Sequence, residues 1–450
     1  MPSSQSSSSP SRSRIADILG HPAMIWLFRI VIGGLYAVSG FVKAVDPWGS
    51  VLKITEYFDV WQLDMPSAFI VFLAFLLGAF EFVWGTLLML GCYRRCSVWM
   101  LTLQMAFFLP LTLYIALYSP VDDCGCFGDF FILSNTATFV KNLLITLGLV
   151  YLIAYNRRIE GLFVSYVQWI IGGLVTFYIF GIELYGYNVQ PMEDYRRFPA
   201  GTVLVESESE EGDEDVEMEF TYEKDGERRT FTMDNLPDST WTFVERHITG
   251  GEADTSDGFT IIEDGEDIAP EIIDNGTEMF VVTIPDVRKV DLSCTYLLNE
   301  LNDFITSRGG AMVALVGSGE DDIEWWQDIS MATYPIVRTE PKQLFELARG
   351  NAAIVYLDHG VIRWKRAVTS ITNTLVKETP PTELIATLDP EPNYYLRLIS
   401  LTFGAILVVI LILDRSGKLL QWHLDRRRRK DRKDKKENNE NQENEDTRQS

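Results

Sequence analysis

Six stretches of the chain are apolar along almost their whole length: residues 23–45, 67–90, 97–118, 137–155, 162–184 and 396–413. Each approaches the ~20 apolar residues that a helix needs to cross a hydrocarbon core, so six transmembrane helices are predicted. The first stretch is too long and glycine-rich for a secretory signal, and no small-residue cleavage site follows it, which predicts an uncleaved anchor. Short connections between the first four predict a four-helix bundle, with Gly33, Gly34 and Gly40 allowing close helix approach. After the fifth stretch the period changes. Residues 217–233 alternate apolar and polar positions around Asp225-Gly226, a hairpin signal. Next come a buried strand at 279–284, an amphipathic helix at 294–307, a strand at 311–316 and a helix at 341–349. A hairpin of 352–357 and 361–364, turning at Asp358-His359-Gly360, precedes a closing helix at 381–388.

A hydrophobic share of 47% and a formal charge of -24 in 450 residues require apolar and acidic material to lie in different regions. Arg12, Arg14, Arg94, Arg95, Arg157, Arg158 and the tail from Arg415 to Lys436 fall on one side of the six spans. Asp46, Glu56, Asp59, Asp64, Asp122, Asp123, Asp129 and the acidic stretch from 186 to 395 fall on the other, with Lys43 and Lys53 against the trend. Basic residues near helix ends stay in the cytoplasm, so both termini are expected inside and the large acidic region outside. The expected organisation is a disordered serine-rich lead (1–14), a four-helix membrane domain (15–158), a fifth span (159–185) and an acidic β-containing region (186–276). An α/β domain (277–393), a sixth span (394–414) and a charged tail (415–450) complete it. The acidic run Glu206 to Glu219 reads as a self-repelling loop, since calcium-ligand spacing is missing. The basic run Arg426 to Lys430, beside a span, suits stop-transfer and contact with anionic lipid, so the expected partner is the bilayer and not nucleic acid.

The candidate chemistry lies in Cys124-Gly125-Cys126. The chain has five cysteines (Cys92, Cys96, Cys124, Cys126 and Cys294) and four scattered histidines, which leaves a closed zinc site without ligands. A bond between Cys124 and Cys126 closes a very small ring, which stores strain and makes the disulfide exchangeable. Gly125 and Gly128 permit the turns, whereas Asp122, Asp123 and Asp129 are expected to disfavour thiolate. The competing reading is a structural disulfide, within the pair or to Cys294, and spacing alone does not choose between them. Cys92 and Cys96 flank Arg94 and Arg95, which are expected to lower their thiol pKa values; two unused, reduced loop cysteines are the alternative. Glu81 falls well inside the second span, where an ionisable group is costly and faces a bundle interior, with Gln104 and Asn142 as candidate partners.

Ser39-Gly40-Phe41-Val42-Lys43-Ala44-Val45-Asp46-Pro47, Glu81, Cys124-Gly125-Cys126-Phe127-Gly128 and Lys141-Asn142-Leu143-Leu144 resemble the DoxX-like membrane proteins, and among them the methylamine-utilisation MauE group. Lys141 stands where that group has arginine. The resemblance implies a bacterial inner-membrane protein that matures disulfide-bearing extracytoplasmic proteins, with a thioredoxin-like partner. Cys124 and Cys126 would be the exchanging pair, with Lys43, Asp46, Glu81 and Asn142 as further site residues. Nothing in the sequence points to methylamine itself. The element order over 277–393 resembles a thioredoxin-like domain in fold alone. Cys294 has no second cysteine two or three positions away, and Asn351-Ala352 stands where thioredoxins carry a cis-proline.

The expected fold class is therefore a mainly α integral membrane protein: a DoxX/MauE-like four-helix bundle plus two further transmembrane helices, with an α/β thioredoxin-like outer domain acting as a docking module. The expected function is thiol–disulfide exchange with an extracytoplasmic protein. Rival readings are a non-enzymatic envelope scaffold and a small-molecule or lipid transporter using Glu81. Re-oxidation of the dithiol needs a quinone or a partner oxidoreductase, and no motif names a cofactor or chooses between them.

Overall fold

Apolar length and helix-end chemistry set out the membrane part. The computed structural model describes residues 20–121, 124–126, 128–131, 133–158, 161–205, 217–224, 227–232, 242–249, 258–263, 265–273 and 275–449, and of 217–249 and 433–449 the backbone alone. The serine-rich lead, Asp122, Asp123, residues 206–216 of the acidic run and the Asp225-Gly226 turn lie outside the described residues. The chain forms two compact units: residues 1–199, 345–353 and 365–450 in the first, and 200–344 with 354–364 in the second.

The first unit begins with α1 (Pro22–Val45), α2 (Pro47–Val60), α3 (Ser67–Leu90), α4 (Arg94–Tyr118), α5 (Asn135–Ala154) and α6 (Gln168–Asn188). Five of these, all but α2, are long and apolar enough to cross a membrane, as is the stretch Pro392–Arg432 near the end of the chain. Asp46 explains the sharp passage from α1 to α2. It ends α1, and its carboxylate accepts from Gly49 N at 3.0 Å to cap α2, whose first residue is Pro47. Gly91, at φ 70, ends α3 in the left-handed conformation that glycine adopts freely.

The tightest crossing in the bundle is α1 against α3. A Cβ on Gly85 would lie 2.6 Å from Ala37 N, one on Gly33 would lie 2.7 Å from Gly85 O, and one on Gly40 would collide with the backbone of Phe82. Gly34 plays no such part, contrary to expectation. It has open space within 4 Å because it projects about 100° round the helix from Gly33.

The second unit holds two main sheets. In the smaller, β1 (Glu217–Lys224) pairs antiparallel with both β2 (Glu227–Thr232) and β3 (Thr242–Thr249). The larger contains β4 (Glu278–Ile284), then after α7 (Cys294–Ser307) β5 (Ala311–Val316), and after α8 (Glu320–Ser330) β6 (Ile336–Arg338). These three strands run parallel. A short α9 (Pro341–Leu347) leads to the hairpin of β7 (Ala353–Asp358) and β8 (Val361–Ala367), of which Phe345–Leu347, Ala353 and Lys365–Ala367 count with the first unit. The strand order is β8-β7-β4-β5-β6. Unbroken burial of β4 from Met279 to Ile284 follows from its central place, and Phe280, Tyr356 and Trp364 form an aromatic cluster with ring centroids 5.3 to 6.0 Å apart.

The end of the chain returns to the first unit with α10 (Asn373–Glu378), α11 (Leu384–Leu388) and α12 (Pro392–Gln449). Residues 345–353 and 365–393, expected within the α/β domain, belong to this unit. The reason is polar: Arg349 pairs with Asp46 at 2.7 Å and with Asp129, Gln190 Nε2 donates to Arg349 O at 2.6 Å, and Lys365 pairs with Asp194 at 2.8 Å. Within the same unit α12 packs on α6, where Tyr178 and Phe403 stack at 4.1 Å and the Tyr178 and Ser400 hydroxyls lie 2.9 Å apart.

Candidate active site

Ser39 and Lys43 are four residues apart on α1 and therefore share a face, which is turned to Glu81 of α3. Lys43 and Glu81 are each only 6% exposed. Burying one charge alone would be costly, and the pairing compensates: Lys43 Nζ donates to Glu81 Oε2 at 2.7 Å, to Ser39 Oγ at 2.7 Å and to the Cys126 carbonyl at 2.6 Å. All three ammonium donors are thus used. Ser39 Oγ lies 2.7 Å from Glu81 Oε2 and 2.6 Å from Cys126 O, and its single proton goes to one of them. Gln104 Nε2 of α4 donates to Glu81 Oε1 at 2.8 Å.

This network grips the loop between α4 and α5 by its backbone. Tyr57 of α2 donates to Cys124 O at 3.2 Å, and Asn135 Nδ2 donates to Val121 O at 3.1 Å. Gly125, at φ 67, makes the turn that a side chain would strain, and a Cβ there would lie 2.7 Å from Lys53 Cγ. The turn brings the sulfurs of Cys124 and Cys126 to 3.3 Å, with both as free thiols.

The two thiols are chemically unequal. Cys124 is buried and Cys126 half-buried. A hydrogen bond from Cys124 holds the Cys126 thiol down at about 6; burial opposes this, and the Lys141 and Lys43 charges assist. The same bond, followed by burial, pushes Cys124 up. The expectation that neighbouring aspartates suppress thiolate is corrected at Asp129, whose carboxylate is engaged by Arg349, while the cations that count are Lys141 and Lys43. Asp122 and Asp123 lie outside the described residues.

Beside the dithiol opens a cavity of about 470 Å³, lined by α1 to α5 and the Cys124–Cys126 turn. Its walls are leucine, isoleucine and aromatic side chains, including Leu73, Leu77, Phe80, Phe108 and Leu111. Polar groups enter at the dithiol: Ser39, Lys43, Glu81, Gln104 and Lys141.

Residues 21–155 match the family model of the methylamine utilisation protein MauE. The MauE-type segment holds α1 to α5, the dithiol, the Lys43–Glu81 pair and the whole cavity lining, in less than a third of the chain. With the six apolar helices it makes this a multi-pass membrane protein with a MauE-like bundle. Residues 216–249 match a domain of unknown function, DUF8463, which covers the three-stranded sheet. No curated protein and no solved structure matches the chain.

The MauE-like bundle brings together Cys124, Cys126, Lys43 and Glu81. Asp46 takes the Arg349 ion pair and the α2 cap. Asn142 lines the cavity but donates to Thr112 Oγ1 at 3.3 Å, so of the two expected partners only Gln104 reaches Glu81. Cys294 is buried in the second unit, where burial pushes its thiol up to about 12. Cys92 also departs from expectation: burial pushes it up to about 11, with Arg29 and not Arg94 or Arg95 as the opposing charge. Cys96 is exposed. The sequence reading missed the Lys43–Glu81 pairing, the Tyr57 contact, buried Arg349, and two ionisable residues inside spans, Arg29 and Glu183, both 1% exposed. Arg29 and Glu183 had a visible signal, a charge within an apolar run. Arg349 had none.

Proposed function

We propose that this protein is a membrane thiol–disulfide oxidoreductase in which Cys126 exchanges disulfides with an extracytoplasmic protein and Cys124 resolves the mixed disulfide. The observation that carries this is the pair of thiols 3.3 Å apart, with the loop backbone held by the buried Lys43–Glu81–Ser39 network. In the reducing direction the Cys126 thiolate attacks a partner disulfide sulfur, forming an intermolecular S–S bond and releasing one partner thiolate. Cys124 loses its proton and attacks Cys126 Sγ, which expels the second partner thiolate and leaves Cys124 bonded to Cys126. Run backwards through the same mixed disulfide, the chemistry oxidises a partner dithiol.

In this reading the larger sheet domain is thioredoxin-like and serves docking alone. Its β8-β7-β4-β5 strand order, with β4 and β5 parallel and a helix between them, supports that reading. The membrane is the bacterial inner membrane, with both termini cytoplasmic and the Cys124–Cys126 loop outside.

The test is the thiol state of the pair in isolated membranes, read by a mass-shifting maleimide across a glutathione redox series, with Cys92→Ser, Cys96→Ser and Cys294→Ser included so that only the loop thiols report. Titration as a pair in the range of catalytic dithiols, near -270 to -120 mV by order of magnitude, is the expected result. Resistance to reduction below about -300 mV would make the bond structural and leave the scaffold reading in its place.

A further inference from the structure

The cavity beside the dithiol has a shape and chemistry that the exchange reaction itself does not use. A protein partner meets Cys126 from the aqueous side, whereas this space lies among membrane-spanning helices. Its volume of about 470 Å³ falls within the ~300–1,000 Å³ of small-molecule sites. Part of its rim is formed by Leu76, Leu103 and Phe107, which are 47%, 68% and 62% exposed. Such side chains on spanning helices face lipid, so the opening there leads to hydrocarbon and not to water. At the inner end the polarity reverses. The polar residues that line it there are Ser39, Lys43, Glu81, Gln104 and Lys141, with Gln104 Nε2 held by Glu81. Cys124, Gly125 and Cys126 line the same space.

Resting on the exchange reading above, we infer that this cavity is the site of a lipophilic quinone that enters from the bilayer and oxidises the Cys124–Cys126 dithiol. A lipid acyl chain would satisfy the walls but has nothing to offer the polar end. A quinone has both a ring that can reach the sulfurs and an apolar tail for the rim. The step balances: the Cys126 thiolate and the Cys124 thiol become one S–S bond, and two electrons, the Cys124 proton and one proton from water pass to the quinone, giving a hydroquinone with two O–H groups. Coupled to exchange at Cys126, the net flow takes electrons from a partner's dithiol to the membrane quinone pool.

The experiment uses the full-length protein, reduced and reconstituted in quinone-free phosphatidylcholine nanodiscs, with anaerobic addition of decylubiquinone. Quinol formation is followed by absorbance and the thiols by maleimide mass shift, beside a glutathione titration of the same preparation. Expected are one quinol per disulfide, saturation with quinone concentration, and loss of the reaction in Cys126→Ser. Leu103→Trp, which narrows the opening, is expected to raise the half-saturating concentration about fivefold, the scale of one ring contact. If glutathione titrates the pair but decylubiquinone does not oxidise it, or does so without saturation and equally in Leu103→Trp, the quinone site is wrong while the exchange reading stands. If neither reagent acts on the pair, both fall.

Discussion

Lys43 and Glu81 form a pair that neither residue can leave cheaply. Glu81→Gln strands the Lys43 charge at 6% exposure, and removing one partner of a buried pair costs about 3–5 kcal/mol. The variant is expected to unfold at correspondingly lower denaturant in detergent micelles, with Lys43→Met/Glu81→Leu recovering much of the loss. Glu81 also raises the Cys126 pKa, so the single variant has a second expected effect: the Cys126 titration moves below its starting value of about 6. That value gives a prediction of its own. The rate of iodoacetamide labelling at Cys126, followed by mass spectrometry, should rise through pH 6 and level off above it. In Cys124→Ala, which removes the largest lowering influence, the midpoint should climb toward the ~8.5 of an ordinary thiol. The folded pKa lies below the unfolded one. The thiolate therefore contributes its stability in full above about pH 8.5 and loses it as pH falls through 6. A midpoint that stays near 8.5 in the unmodified protein would remove the thiolate from the mechanism. Glu81 was legible as a candidate because a carboxyl inside an apolar run stands out in one dimension. Its partner was not: Lys43 falls near the end of its apolar run, where lysine ordinarily reaches for the interface, and only the crossing of α1 and α3 turns it inward.

That crossing depends on small residues. Gly85→Val would drive its side chain into the backbone near Ala37, at an atom that cannot rotate away, so the helices must part. Overpacking of this kind costs about 1–3 kcal/mol, measurable as a shifted unfolding midpoint, whereas Gly34→Ala should be neutral because the space there is open. Ala352 offers a change of opposite sign. It sits at φ 140, immediately before β7, with its carbonyl held by Val368 N at 3.0 Å. Ala352→Gly is expected to relieve roughly 1 kcal/mol of backbone strain, raising the midpoint; an unchanged or lower one would mean that the conformation is not strained. Elements with strong periodicity were readable from the chain: α7 and β5 have the expected limits, 294–307 and 311–316. The missed ones lack such a signal. Glu56 and Asp59 gave α2 the look of a loop, α8 hides its single large buried anchor, Trp326, among acids, and β6 has three residues. The apolar run at 396–413 marks the last span, but α12 continues to Gln449, because arginine, lysine, glutamate and glutamine sustain a helix without an apolar face.

At the scale of the whole molecule, the distribution of charge makes a claim about sidedness that single residues can check. Arg94 and Arg95 open α4, and Arg157 and Arg158 follow α5, whereas the Cys124–Cys126 turn lies between the other ends of these two helices. A spanning α4 of 25 residues therefore separates Cys96, in its first turn, from Cys126, beyond its last. The exposure of Cys96 and partial exposure of Cys126 make both available to a reagent on their own side. Basic residues hold their helix ends in the cytoplasm, so a membrane-impermeant maleimide applied to intact spheroplasts should label a variant retaining only Cys126. A variant retaining only Cys96 should label only after permeabilisation. The reversed pattern would put the dithiol in a reducing compartment, where an exchangeable disulfide facing secreted partners has no use, and would defeat the proposed direction of the chemistry together with the topology. Labelling of both before permeabilisation would show that α4 does not span, and with it the lipid-facing opening of the cavity would lose its meaning. The expected one-sided result would leave the dithiol facing extracytoplasmic proteins and the cavity facing hydrocarbon, the two-sided access that electron transfer from a protein thiol to a membrane carrier requires.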